Sequence, residues 1–464
     1  MFSKQTYSNR RAVLAETIGA KGIILFLGNR ENPINFEDNT SSFRQDSTFL
    51  YYFGIQQPHL AAIMDLDENR TIVFGDEMSI DALVWMGRQE TLKAKCEKAG
   101  VVETRPYAEL AIYLTTARSA KRTIHYLPPY QPSNKILLGE LLQLTLVELK
   151  PSVAFIQAVV AQREKKEEQE ISEIEKALTI STKMHLAAMR MAKPGMKEYE
   201  IAAAIQYLAA QEACELAYPS IVTINGGILH NHYRGNTLQS GQLVLNDSGC
   251  ETPMGYASDL TRTFPVDKTF TSEQRDLYEV VLTAFEGAKN KLNAGVKFKE
   301  VHLHAALLLS QGLIDLGLMK GNATDAVEAH AHTMFFQCGL GHMMGLDVHD
   351  MEDLGEQYVG YTAEEPKETQ LFGLKSLRLG KTLAAGHVVT VEPGIYFIPE
   401  LIERWEAEKK YIDFINYEKL NTYKNFGGIR IEDNFLIQEN GYRQLGPDLI
   451  RTVAEIEAFR KDSV

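Results

Sequence analysis

Five acidic or imidazole side chains fall in segments whose local patterns would gather them rather than offer them to solvent. Leu243–Pro265 reads LVLNDSGCETPMGYASDLTRTFP, two apolar runs around a Gly/Pro-containing turn, and predicts a β-hairpin. Asp247 ends its first strand and Asp259 begins the second. Cross-strand neighbours on one face lie about 5 Å apart at Cβ, so the two carboxylates could share a pair of cations; without metal they would repel and one would protonate. Taken alone, they read more readily as turn aspartates, a common role for Asp. Asp259, Thr261 and Thr263 alternate onto one face, where the hydroxyls can orient carboxylate or substrate groups. Gly339–Asp350, GLGHMMGLDVHD, has glycines at 339, 341 and 345 that oppose a regular helix and set His342 and His349 on a constrained loop. Either histidine by itself could be a satisfied core residue. In Val388–Phe397, VVTVEPGIYF, an apolar strand ends at Glu392, and a carboxylate there needs a partner. In Phe426–Ile437, FGGIRIEDNFLI, Arg430 and Glu432 share a strand face, a pattern a buried Arg–Glu pair would also produce. The count is four carboxylates and one imidazole; the four negative charges balance two divalent cations, and a bridging hydroxide completes the cluster. Oxygen-rich ligation with one nitrogen suits Mn²⁺, or Co²⁺ and Zn²⁺, and a soft thiolate from Cys338 fits poorly. Such a metal pair activates water at neutral pH and clamps a tetrahedral oxyanion.

The elements that must hold these residues alternate early in the chain. Gly22–Leu27, Leu60–Met64, Thr71–Phe74 and Ile124–Leu127 read as strands and Leu92–Ala99 as a helix, a mixed α/β pattern over about the first third. The charge run Arg163–Glu170 (REKKEEQE) marks a boundary and predicts a solvated helix face leading into Ile171, Ile174 and Leu178. Pro194-Gly195 ends that helix, and a second is predicted near Tyr199–Glu215. Strands follow at Ile221–Ile224 and Leu243–Leu245, helices at Ser272–Leu292 and Lys299–Leu316, then a strand-rich remainder with a short helix near Val453–Phe459. The second half therefore reads as α+β, helices packed on an antiparallel sheet.

Composition bounds the rest. The 464 residues are 45% hydrophobic and 23% charged, ordinary for a globular chain of two or three domains. The net charge of −13 disfavours nucleic acid and anionic membranes as partners. The four cysteines form no CxxC pair, which points to reduced thiols. The start is polar, with no signal or spanning segment, so a cytoplasmic protein is expected.

The five motifs together resemble the pita-bread metallopeptidases, specifically aminopeptidase P and prolidase, whose pattern runs Asp, Asp, His, Glu, Glu. Here it is met by Asp247 in LNDSG, Asp259 in ASDLTRTFP, His342 in GLGHMMGLDVHD, Glu392 in TVEPGIYF and Glu432 in GGIRIED. The resemblance covers residues 165–464 and extends to Phe43–Ile55 (FRQDSTFLYYFGI), which looks like the signature of the amino-terminal domain in this group. It implies an α/β amino-terminal domain over residues 1–165 and an α+β pita-bread catalytic domain over residues 166–464. The implied activity is hydrolysis of Xaa-Pro peptide bonds by a metal-bridging hydroxide, on proline-containing peptides, by a homo-oligomer, dimer or tetramer. Asp259 and Glu432 would bridge both metals, Asp247 would bind one, and His342 and Glu392 the other, with Glu392 also handling the proton of the bridging water. His349 and a histidine of ILHNHY, His230 or His232, would stabilise the intermediate and hold substrate, with His230 the choice for the catalytic role. Arg430 would sit beside Glu432 or contact substrate. Arg378, in LKSLRLGK, is similar to the prolidase arginine that grips a substrate carboxylate. With the long insert between Tyr396 and Phe426, it favours prolidase over aminopeptidase P. Two departures stand out: the turn between Asp247 and Asp259 is one residue longer than usual, and Cys338 stands where relatives commonly have another histidine. The competing expectations are a metal-free pita-bread binding module and a two-metal hydrolase with organophosphate or ester side activity.

Overall fold

The alternation predicted for the first third of the chain forms a five-stranded mixed sheet. The computed structural model describes residues 1–19 and 21–462. Strands β1 (Ile23–Leu27), β2 (Ala61–Asp65), β3 (Arg70–Phe74), β4 (Glu103–Arg105) and β5 (Ile124–His125) lie in the order β4-β3-β2-β1-β5. The outer pairs β3–β4 and β1–β5 are parallel, the inner pairs antiparallel. The predicted strand at Ile124–Leu127 stops after His125 and runs into Pro128-Pro129. Prolines lack the N–H that would extend the ladder. Ile23, Leu25, Ile63, Ile72 and Phe74 supply the buried face, covered by Leu110, Leu114 and Leu138 from the helices Glu109–Ser119 and Pro132–Leu142.

The chain divides into two compact units: Met1–Arg163 with Met351–Tyr358, and Glu164–Asp350 with Val359 onward. In the second, every strand pairing is antiparallel. Its strands are β6 (Glu215–Leu216), β7 (Ile221–Thr223), β8 (Leu243–Asp247), β9 (Cys250–Glu251), β10 (Thr261–Pro265), β11 (Val388–Val391), β12 (Gly394–Tyr396), β13 (Gly428–Arg430), β14 (Asp433–Ile437) and β15 (Tyr442–Gln444). They form the ribbons β10-β8-β7, β11-β14-β15, β12-β13 and β6-β9. The long helices Glu168–Met191, Glu198–Gln211, Ser272–Lys289 and Phe298–Asp315 lie close to their predicted spans. Ile171, Ile174 and Leu178 are buried as their spacing requires. Thr271 starts the third of these helices with a capping box: its hydroxyl accepts the Gln274 N–H while Gln274 accepts the Thr271 N–H.

One expectation needs correction. The run Arg163–Glu170 is solvated only in part: Lys165, Glu167 and Glu168 are exposed, but Arg163, Lys166 and Glu170 are buried. Each finds a partner that offsets desolvation: Arg163 bonds the Thr48 hydroxyl at 3.1 Å, Lys166 pairs with Asp350 at 2.8 Å, and Glu170 accepts the Tyr256 hydroxyl at 2.9 Å. The remainder is strand-rich as expected, through β11–β15, and the insert between Tyr396 and Phe426 is a helical part of it. The insert folds into the helices Pro399–Ala407 and Tyr417–Leu420, the first opened by a proline where no N–H is needed.

Candidate active site

The hairpin predicted around Asp247 and Asp259 is formed by β8 and β10, with β9 in its connection. Its register sets Asp247 opposite Thr261, so Asp259 lies two residues before the strand rather than opening it. The two aspartates are nonetheless joined: the Tyr218 hydroxyl lies 2.7 Å from Asp247 Oδ1 and also bonds Asp259 Oδ1. Thr261 and Thr263 do orient their neighbours. The Thr261 hydroxyl donates to Glu432 Oε2 at 2.7 Å, and the Thr263 hydroxyl donates to the Arg430 carbonyl at 3.1 Å. Glu432 is tied to the hairpin through its backbone as well, its N–H donating to the Thr261 carbonyl at 3.1 Å.

His342 comes from the glycine-rich loop, which runs tight against β11. A Cβ on Gly341 would fall 2.2 Å from the Thr390 carbonyl oxygen, so only glycine fits this approach. The His342 N–H donates to the Thr390 hydroxyl at 3.0 Å, and Thr390 returns its own N–H to the His342 carbonyl at 3.0 Å. The His342 ring nitrogen Nε2 then sits 3.4 Å from Asp259 Oδ2 and 3.6 Å from Glu392 Oε1. His349 packs its ring 4.2 Å, centre to centre, from that of His342. Ligand atoms of Asp259, His342 and Glu432 all lie within 4.8 Å of one another.

A cavity of about 290 Å³ collects all ten residues singled out in the sequence: Asp247, Asp259, His342, Glu392 and Glu432 with His230, His232, His349, Arg378 and Arg430. His230 and His232 stand exposed at its rim, and Arg378 is half-buried. Arg430 is more committed than expected: its guanidinium bonds Asp247 Oδ2, the Tyr396 hydroxyl at 2.8 Å and the Thr261 hydroxyl at 3.1 Å. Tyr218 and Tyr396 also line the cavity and escaped the sequence reasoning. Tyr218, placed just before Pro219 ahead of β7, gave only the signal of a polar aromatic at a strand entry. Cys338 lines the cavity with its thiol 3.8 Å from the Tyr396 hydroxyl.

The electrostatics ask for cations. Burial, with Asp259, Asp247 and Glu392 nearby, pushes Glu432 well above the ordinary carboxylate range. Burial also drives Glu392 up to about 7, against the pull of His342 and Arg430. Burial and Asp259 raise Asp247 despite Arg430. Buried carboxylates this close cannot all ionise unless positive charge joins them. One Glu432 oxygen, Oε1, is buried without a hydrogen-bond partner, as a metal-ligating oxygen would be. The donor set, carboxylates with one imidazole, fits hard or borderline divalent metals.

Comparison with known proteins agrees with this geometry. The model of metallopeptidase family M24 matches residues 172–439, and that of the aminopeptidase P N-terminal domain matches residues 7–125. A protein of Phaeosphaeria nodorum named "Probable Xaa-Pro aminopeptidase" is 31% identical over 92% of this chain and 89% of its own length. One of the same name from Botryotinia fuckeliana is 32% identical over 96% and 93%. The structure of Escherichia coli aminopeptidase P with the inhibitor Pro-Leu superimposes with a TM-score of 0.81 at 27% identity, covering 100% of this chain and 99% of that one. The zinc-substituted E. coli enzyme in complex with product gives the same values. Matched over more than half its length by the family model and almost end to end by relatives above 30% identity, this chain belongs to metallopeptidase family M24 and carries the N-terminal domain of aminopeptidase P.

Proposed function

We propose that this protein is a metal-dependent exopeptidase that hydrolyses Xaa-Pro bonds in proline-containing peptides, acting as an aminopeptidase P. The carrying observation is the buried gathering of Asp247, Asp259, His342, Glu392 and Glu432 around the orphaned Glu432 Oε1. Asp259 and Glu432 are assigned to both metal positions, Asp247 to one, and His342 with Glu392 to the other. Two divalent cations held there would acidify a water and polarise the scissile carbonyl. The protein's own part is orientation and proton handling. Tyr218 and Thr261 hold the carboxylates in place. Glu392, least constrained by hydrogen bonds and at the cavity wall, takes the proton released in the attack. His349 and His230 stabilise the intermediate, His232 and Arg378 hold the peptide, and Arg430 fixes Asp247 and Tyr396 while bordering the peptide.

The sequence alone leaned toward prolidase because of Arg378 and the insert. The relatives named Xaa-Pro aminopeptidase span nearly all of this chain, and they favour the aminopeptidase branch. Manganese as the native metal, a homo-oligomeric assembly, a cytoplasmic location and a domain division at residues 165/166 complete the proposal. No helix among the described residues is long and apolar enough to cross a membrane. Hydrolysis of Xaa-Pro dipeptides against Xaa-Pro-Xaa tripeptides by the Mn²⁺-loaded protein tests it. Faster turnover of tripeptides is expected; turnover of dipeptides alone would make the enzyme a prolidase, and turnover of neither would end the exopeptidase assignment.

A further inference from the structure

His342 turns one ring nitrogen into the carboxylate cluster, and residues outside the cavity decide what the other nitrogen does. The Met343 carbonyl lies 3.0 Å from His342 Nδ1. A carbonyl only accepts, so Nδ1 carries the ring proton and Nε2 offers its lone pair to the cluster. The same carbonyl accepts the backbone N–H of Asp350 at 2.9 Å. Asp350 is itself held on both carboxylate oxygens: Oδ1 accepts the Asp347 N–H at 3.2 Å and Oδ2 accepts Lys166 Nζ at 2.8 Å. Both side chains of the Lys166–Asp350 pair are 1% exposed. The Lys166 backbone is anchored in turn, its N–H donating to the Gly386 carbonyl at 2.9 Å, just ahead of β11. Gly345 leaves room for the pair, since a Cβ there would fall 2.5 Å from Lys166 Cε and 2.9 Å from Asp350 Oδ2.

Given the exopeptidase function proposed above, on which this depends, we infer that the buried Lys166–Asp350 ion pair is a positioning device for the metal-ligating His342. The path is continuous. Lys166 fixes the Asp350 carboxylate, Asp350 fixes the Met343 carbonyl through its own N–H, and that carbonyl fixes the tautomer and tilt of the imidazole. Neither Lys166 nor Asp350 lines the cavity; both act through His342. A buried pair is a poor choice if stability is all that is required, because apolar residues of the same volume avoid the desolvation penalty. Aiming a ring nitrogen, by contrast, needs a rigid directional contact behind the ligand.

The test measures Mn²⁺ binding by calorimetry on chelator-stripped protein, melting temperature, and Xaa-Pro hydrolysis. The variants are Asp350→Asn, Lys166→Met, the two combined, and Lys166→Arg. In each single variant one Mn²⁺ site is expected to weaken about tenfold or more and kcat to fall about tenfold, with KM nearly unchanged. The double variant, which removes both charges of the pair together, is expected to regain melting temperature but not Mn²⁺ affinity or kcat. Lys166→Arg, which keeps the charge, should recover most of the affinity lost in Lys166→Met. A double variant whose Mn²⁺ affinity and kcat return with its melting temperature would overturn the inference, leaving the pair a structural staple. So would Lys166→Arg that folds without recovering affinity. A parent protein that neither binds Mn²⁺ nor cleaves Xaa-Pro bonds would instead refute the function itself.

Discussion

At the residue scale, the cluster depends on who holds each carboxylate. Asp259 stands between Tyr218 and His342, and Asp259→Asn removes one negative charge from the centre of the group. Hydrolysis should be abolished; full activity in this variant would contradict the assignment of Asp259 to both metal positions. Tyr218→Phe is subtler. It removes the hydroxyl that bonds both aspartates while keeping the ring. Losing an outer partner of a metal ligand costs about 10–100-fold in metal affinity or activity, and Mn²⁺ titration of the variant should show a loss in that range. Cys338 has a different role. Burial, assisted by Glu392, pushes its thiol up to about 11, so in the metal-free site it stays protonated at neutral pH.

At the element scale, the β8–β10 hairpin is braced from behind by Arg262, which is fully buried. Its guanidinium pairs with Asp433 at 2.8 Å and donates to the carbonyls of Glu432 at 2.7 Å, Leu449 at 3.0 Å and Ile450 at 2.9 Å. One side chain thereby joins β10, the Glu432 segment and the chain ahead of the last helix, Val453–Lys461. Arg262→Met would leave Asp433 and several carbonyls without this partner. Leaving a buried charge wholly unpaired costs about 3–5 kcal/mol; Asp433 would keep Arg451 at 3.3 Å, so chemical denaturation should show a loss below that range. The hairpin was legible because its apolar runs and turn residues are local. Arg262 was not, since nothing in TRTFP tells a buried clamp from an exposed strand arginine. The buried members of the charge run at 163–170 were illegible for the same reason: the partners Thr48, Tyr256, Asp350 and Lys381 are remote in sequence.

At the scale of the whole molecule, protons and metals are linked to folding. Burial lowers His332 to about 4. Its folded value lies below the unfolded one of about 6.5, so the unfolded chain takes up the proton first as the solution is acidified. The stabilising contribution is therefore complete above pH 6.5 and is lost as pH falls toward about 4. The stability advantage of the parent over His332→Gln should narrow by about 1.4 kcal/mol for each pH unit in that window. A gap that stays constant in paired denaturation curves would show that the ring is not buried in its neutral form. Divalent metal should act in the opposite direction, relieving the mutual repulsion of four carboxyls. Mn²⁺ at about a hundredfold excess over its Kd should stabilise the chelator-treated parent by about 2.7 kcal/mol per site, and Asp259→Asn should respond less in the same thermal scans.

Residue type and local spacing were enough to determine the two fold classes, the main helices and seven of the residues that meet in one cavity, Asp247, Asp259, His342, His349, Glu392, Arg430 and Glu432; Arg378, His230 and His232 entered only through the family resemblance. Each motif carries its signature within a dozen or so neighbours: a strand ending in a carboxylate, a glycine-rich loop ending in histidines. Tertiary structure alone decided how those residues are oriented. The Asp247–Thr261 register, the Tyr218 bridge, the ties of Arg430 to Asp247 and Tyr396, and the Lys166–Asp350 pair behind His342 all join positions far apart in the chain. Such contacts leave no periodic trace, because a buried polar side chain is satisfied by whichever partner the fold brings to it.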